Sequence, residues 1–267
     1  MIVVSALSAG IAAAVLVIVV LYVIGKGAPA LSVSFFTQVP RPVGIPGGGV
    51  ANALLGSLVV IAIASALAIP VGVLAGIYLA LFGRGRLAGA VRFLSDVLTG
   101  VPSIAIGVFA YALIVLPTRH FSGGSASLAL AIIMLPIVVR TTEEAVRLVP
   151  HVIREGALAL GMPVWRAVLA VTVPVARPGI ITGALLAIAR VAGESAPLLF
   201  TAFGSQLFSN PVTSPTAALP LLIFQYAISP YKDWQQAAWG SALVLIVVVF
   251  ALNVAARVAF RSRFASR

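Results

Sequence analysis

The stretch Pro150-His151-Val152-Ile153-Arg154-Glu155-Gly156-Ala157-Leu158-Ala159-Leu160-Gly161, followed by Met162-Pro163-Val164-Trp165-Arg166-Ala167-Val168-Leu169-Ala170-Val171-Thr172-Val173-Pro174, separates two long apolar runs. Pro150 suits a first helical turn, and Glu155 close behind it complements the positive end of the helix macrodipole. Gly161 suits a helix stop and Pro163 a second start. The spacing predicts two short helices joined by a sharp bend. Val152, Ile153, Ala157 and Leu160 can share one apolar face, and a loop with an apolar face requires a partner.

The rest of the chain says what the loop is attached to. Of 267 residues, 61% are hydrophobic and 9% are charged, and the mean hydropathy is +1.18. A soluble domain is about a quarter charged. The composition therefore excludes a soluble enzyme, a coiled coil and a disordered chain, and leaves the lipid bilayer as the solvent. There is no cysteine, hence no disulfide, thiolate metal site or thiol nucleophile.

A spanning helix needs about 20 mostly apolar residues. Six stretches qualify: roughly Val3 to Ile24, Ala51 to Phe82, Phe93 to Leu116, Ser125 to Val149, Pro178 to Phe203 and Ala237 to Phe260. Pro70, Pro102, Pro136 and Pro197 interrupt them, which is tolerated where neighbouring helices satisfy the freed carbonyls. The first run is too long for the core of a cleaved leader, and no basic segment precedes it. It reads as a span.

The net charge of +11 sorts by loop. One side carries Arg84, Arg86, Arg92, Arg140, Arg147, Arg154, Arg166, Arg177, Arg257, Arg261, Arg263 and Arg267; the other carries Lys26, Arg41, Arg119 and Lys232. Positive loops stay cytoplasmic. Both termini and the 150–177 loop are thus expected inside, with 25–50, 117–124 and 204–236 outside. The charge is a topology signal, and no nucleic acid is needed to explain it.

The quoted loop resembles the EAA loop of the permease subunits of ATP-binding-cassette (ABC) importers. That motif reads Glu-Ala-Ala, three residues, Gly, nine residues, then Ile-x-Leu-Pro. Here Glu155, Gly156, Ala157 and Gly161 precede Val171, Thr172, Val173 and Pro174 at the same spacing. Gly156 replaces an alanine, which bears on helix rigidity. Further segments are similar to phosphate-specific permeases of the PstA type. They are Gly100-Val101-Pro102-Ser103-Ile104-Ala105-Ile106-Gly107, Arg140-Thr141-Thr142-Glu143-Glu144, Gly47-Gly48-Gly49-Val50-Ala51-Asn52-Ala53 and Ala189-Arg190-Val191-Ala192-Gly193-Glu194-Ser195-Ala196-Pro197-Leu198-Leu199-Phe200-Thr201-Ala202.

The resemblance implies an all-α membrane protein with the type I (MetI-like) permease fold. It implies one permease domain over 1–267, with its core at about 50–260 and its coupling loop at 150–174. It also implies a bacterial inner-membrane location and half of a phosphate pathway. A PstC-type permease subunit, two ATP-binding subunits and an extracytoplasmic phosphate-binding protein would complete the assembly. Glu155, Gly156, Ala157 and Gly161 would form the coupling helix that docks on an ATP-binding subunit. No cofactor or metal is implied.

Arg190 and Glu194 also argue from physics alone. An ionisable residue in mid-span faces a bundle interior or an aqueous path. Their i, i+4 spacing puts both on one helix face, and Gly183, Ala187, Gly193 and Pro197 share much of it. Arginine offers a tetrahedral oxyanion bidentate donors, and Glu194 would hold it in orientation. The alternative is a structural ion pair that fixes helix packing. Ser103, after Pro102, either lines a polar cavity or bonds back to its own helix.

Arg92 with Asp96 and Arg140 with Glu144 read as i, i+4 pairs that set helix depth. Gly72-x3-Gly76 and Gly179-x3-Gly183 have the small-xxx-small spacing of close helix contacts. Ala217 to Ile228 is apolar enough to dip into the membrane as a short helix, where the resemblance implies an external gate. His120 and His151 fall on opposite faces, which excludes a metal pair between them and argues against an intramembrane serine hydrolase. No Gly-x4-Gly-Lys-Ser/Thr pattern occurs, so ATP hydrolysis has to come from a partner. Two rivals stand beside the phosphate reading: a permease for another oxyanion such as phosphonate, sulfate or molybdate, and an ion-coupled secondary transporter. The second predicts inverted repeats, which the sequence does not display, and leaves the EAA loop unexplained.

Overall fold

A computed structural model of the chain describes residues 1–42, 45 and 47–261, with the side chains of residue 2 and of 255–261 left aside. Arg263 and Arg267 lie outside the described residues, and so do the side chains of Arg257 and Arg261. The helices are α1 (Ile2–Gly27), α2 (Val33–Thr37), α3 (Ala51–Leu81), α4 (Arg86–Gly100), α5 (Ser103–Thr118), α6 (Gly123–Arg147), α7 (His151–Ala159), α8 (Val164–Val191), α9 (Ala196–Thr201), α10 (Leu219–Ala227) and α11 (Lys232–Arg261). Among the described residues the only β-type pairing is an isolated bridge between Phe203 and Thr216. Five helices among the described residues are long and apolar enough to cross a membrane, and six crossings result if the bent pair α4–α5 counts as one.

The core forms around α6, the most buried of the spans. Helix α3 lies against one side of it and α8 against another. Glycines permit both approaches. A Cβ on Gly72 would stand 2.8 Å from the Val138 side chain, and one on Gly76 would stand 2.6 Å from Thr142 Cβ. On the α8 side, a Cβ on Gly179 would meet Ala145 Cβ at 2.7 Å, and one on Gly183 would collide with the Thr141 hydroxyl. Both small-xxx-small spacings are therefore close helix contacts, and both grip the same helix. Val60, Leu130, Met134, Val138, Val191 and Leu221 fill the spaces between them.

Two expected spans are built differently. The third is not one rod: α4 and α5 meet at an angle of 106° across Val101-Pro102. Proline lacks the amide hydrogen and clashes with the carbonyl four residues back. The second short helix expected from Pro163 is not separate; it is the beginning of α8, which runs unbroken to Val191. A wide π-helical turn at Val168–Thr172 lets Pro174 enter the helix without a break. The fifth span accordingly starts earlier than Pro178 and stops well short of Phe203.

The expected short apolar helix in the 204–236 segment is α10, with Leu219, Leu221, Leu222 and Tyr226 buried. The Ser57 hydroxyl accepts a hydrogen bond from the Leu219 amide at 2.7 Å, and the Asn52 amide donates to the Ser205 carbonyl at 2.7 Å. These bonds seat the segment on the start of α3.

Candidate functional site

Arg190 stands in the last turn of α8, level with the middle of α6. It shares a narrow crevice with Ser103, and Thr99, Val101, Ile133 and Ile137 complete much of the wall. The free volume is about 10 Å³, enough for about one water molecule. In this conformation the crevice does not admit a tetrahedral oxyanion. Ser103 is the first residue of α5, so no helical carbonyl lies four residues behind it. Among the described residues its side chain bonds to no backbone group, and it lines the crevice.

Glu194 does not share a helix with Arg190, contrary to expectation. Helix α8 ends at Val191, the Glu194 amide donates to the Val191 carbonyl at 3.1 Å, and α9 begins at Ala196. Pro197 explains the break. A continuous helix would drive its ring into the carbonyl of Gly193, and as built it occupies the first turn of α9, where proline is favoured. Arg190 and Glu194 form no ion pair among the described residues. Arg190 is exposed and Glu194 half-buried in the isolated chain.

Charge gathers instead at the Arg-rich end of the bundle, around a residue that the sequence did not single out. Glu143 is 1% exposed. Its carboxylate accepts from Arg92 Nε at 2.7 Å, from Arg147 Nη2 at 2.6 Å and from Arg140 Nη1 at 3.4 Å. Arg140 also holds Asp96 through two nitrogens, Nε at 2.8 Å from Oδ1 and Nη2 at 2.6 Å from Oδ2. Arg92 donates to the Leu79 carbonyl at 2.7 Å and the Gly83 carbonyl at 3.3 Å, satisfying acceptors that the end of α3 leaves open. One buried carboxylate thus ties α3, α4 and α6 together.

The intrahelical pairs expected from i, i+4 spacing, Arg92 with Asp96 and Arg140 with Glu144, are not formed. Both arginines reach across to another helix, and Glu144 is exposed. The available clue was that Glu143 lies three residues from Arg140 and four from Arg147.

Beyond this cluster lies α7. Pro150 caps it, and Gly161 ends it at φ +80, a left-handed conformation that glycine adopts without steric strain. Glu155 and Gly156 are exposed, and a Cβ on Gly156 would meet nothing within 4 Å. The four apolar side chains do not share one face. Ala157 turns inward and is buried, while Val152, Ile153 and Leu160 remain uncovered. Trp165 beside them is 66% exposed. No group of three or more metal-binding side chains occurs among the described residues.

The family model for binding-protein-dependent transport system inner membrane components matches residues 72–262. The phosphate transport system permease protein PstA of Yersinia pestis is 46% identical over 239 residues, covering 89% of this chain and 81% of that protein. The PstA of Xylella fastidiosa strain Temecula1 is 48% identical over 236 residues, covering 88% and 82%. The fold resembles the MetNI methionine ABC transporter captured in an inward-facing conformation, with a TM-score of 0.62 and 20% identity over 79% of this chain and 92% of that one. The chain belongs to the binding-protein-dependent transport system inner membrane components, and within them to the PstA-type permeases of ABC importers.

Proposed function

We propose that this chain is the transmembrane permease subunit of an ATP-driven phosphate importer, acting as one permease domain that lines half of the translocation pathway. The observation that carries the proposal is the 46–48% identity to PstA proteins over nearly nine-tenths of the chain. Its partners in this reading are a PstC-type permease subunit across the pathway, two ATP-binding subunits in the cytoplasm and an extracytoplasmic phosphate-binding protein. The chain sits in a bacterial inner membrane with the Arg-rich end and both termini in the cytoplasm.

Glu155, Gly156, Ala157 and Gly161 belong to the coupling helix α7, and the uncovered side chains of Val152 and Leu160 meet the ATP-binding subunit. ATP-driven closure moves α7. Helix α6 follows through Leu148 and Val149, and α8 follows through the bend at Gly161. The Glu143 cluster carries α3 and α4 along with α6. The crevice between α5 and α8 then opens and closes, presenting Arg190 and Ser103 alternately to the two sides. Arg190 offers paired donors to the anion, and Glu194 tunes the field from the turn after α8. Weak binding suits this role, because a strong site would trap the ion.

The test is uptake of labelled phosphate into vesicles containing the importer, ATP and the binding protein. Uptake is expected to depend on the binding protein and to be stopped by vanadate. It should be competed by phosphate and not by sulfate, molybdate or phosphonate. Arg190→Gln should abolish it at normal expression. Normal uptake by that variant would remove Arg190 from the pathway; preferential competition by another oxyanion would replace phosphate as the substrate.

A further inference from the structure

A cavity of about 320 Å³ opens where the ends of α3 and α6 meet the start of α7 and the first turns of α8. Leu81 and Val149 give it an apolar wall, and Arg147, His151, Arg154 and Thr172 give it polar groups, with no carboxylate among the lining residues. Arg147 shares the single Glu143 carboxylate with Arg92 and Arg140. Arg154 is half-buried and has neither an ion pair nor a hydrogen bond from its side chain among the described residues. Thr172 is 2% exposed, and its hydroxyl reaches only the Ala167 carbonyl, at 3.5 Å, the outer limit of a hydrogen bond. A buried hydroxyl with so poor a partner, in one cavity with the unpaired Arg154 and with Arg147, which shares its carboxylate, makes a donor set suited to a tetrahedral oxyanion.

We propose that this cavity binds a phosphate-class anion. Arg147 and Arg154 donate to its oxygens, Thr172 donates from the floor and His151 stands at the mouth. The occupant joins α6, α7 and α8, so it holds the coupling helix against the bundle. Two sources carry this chemistry: free inorganic phosphate in the cytoplasm, and the headgroup of an anionic phospholipid. The ligand class follows from the cavity alone. Only one consequence rests on the phosphate-importer reading: if free phosphate is the occupant, the imported ion acts back on the coupling helix.

The experiment places the full chain in phosphatidylcholine nanodiscs and measures equilibrium binding of labelled inorganic phosphate. In parallel, native mass spectrometry reads phosphatidylglycerol retained after extraction. The variants are Arg154→Gln, Thr172→Val and, as a charge control outside the cavity, Arg84→Gln. Each is checked for wild-type melting, and the near-isosteric Thr172→Val decides the question should Arg154→Gln not fold. If phosphate is the ligand, Arg154→Gln weakens its binding about tenfold, the loss of one charge-assisted hydrogen bond, while Arg84→Gln binds as the wild type does. If the lipid is the ligand, the same pattern appears in phosphatidylglycerol retention and not in phosphate binding. The proposal is overturned if neither ligand binds, or if both bind Arg154→Gln and Thr172→Val as they bind the wild type. Binding here is read without ATP or transport, so its failure is separate from a failure of vesicle uptake.

Discussion

Glu143 is buried among three arginines, and Glu144, its neighbour in the chain, is exposed. One residue along a helix is a rotation of about 100°, and that rotation separates a carboxylate that ties helices together from one in solvent. Removing one member of a buried, hydrogen-bonded ion cluster leaves uncompensated charge and destabilises by about 3–5 kcal/mol. Glu143→Gln is therefore expected to lower the melting temperature of the purified protein sharply. Glu144→Gln should change stability by no more than about 0.5 kcal/mol, as exposed substitutions do. Equal melting of the two variants would contradict the cluster. Arg190 is a different kind of residue. It makes no ion pair among the described residues, so its substitution should leave melting nearly unchanged and appear in transport.

At the scale of elements, the glycines sort by what faces them. Gly76 lies where α3 crosses α6, and a Cβ there would stand 2.6 Å from Thr142 Cβ. Gly76→Ala must push the two helices apart and is expected to cost about 1–3 kcal/mol, the usual range for an overpacked contact. Gly156 lies on α7 with open space around it. Gly156→Ala relieves a helix-propensity penalty of about 1 kcal/mol and should preserve uptake while leaving stability equal or higher. Thermal unfolding of the pair checks both signs. Uptake by Gly156→Ala then tests the docking role proposed for α7, since a partner that needs the glycine would lose uptake without loss of stability. The prolines sort in the same manner. Pro70, Pro136 and Pro178 stay inside helices, whereas Pro102 and Pro197 lie at breaks that shape the crevice.

For the whole molecule, the arginines at one end and the 204–236 segment at the other fix a direction across the bilayer. The chain contains no cysteine, so single cysteines can be introduced without background. Ser209→Cys, exposed at the α10 end, should react with a membrane-impermeant maleimide in intact cells. Ala159→Cys, exposed on α7, should react only after the membrane is opened. The opposite pattern would invert the topology and with it the docking surface proposed for the ATP-binding subunits. Helix α1 contributes to the same large-scale picture: it packs on α11 and leaves most of its apolar surface uncovered, which suits contact with lipid or another membrane subunit.

The sequence by itself determined the solvent, the all-helical class, the approximate spans and the short helix that follows Pro150. These depend on composition, on runs of apolar residues and on local signals such as Pro150 and Gly161, which act over one or two turns. It also drew attention to Arg190 and Ser103, since a charge within an apolar run is conspicuous wherever the helix points. Tertiary structure alone decided the partners. Intrahelical spacing suggested Arg190 with Glu194, Arg92 with Asp96 and Arg140 with Glu144. The folded chain instead brings Arg190 beside Ser103, and gathers Arg92, Arg140 and Arg147 on Glu143. The physical reason is burial. A carboxylate enclosed between helices needs every available donor, whereas a pair on one exposed helix face gains only about 0.2–0.5 kcal/mol, so packing between helices overrides the local pairing.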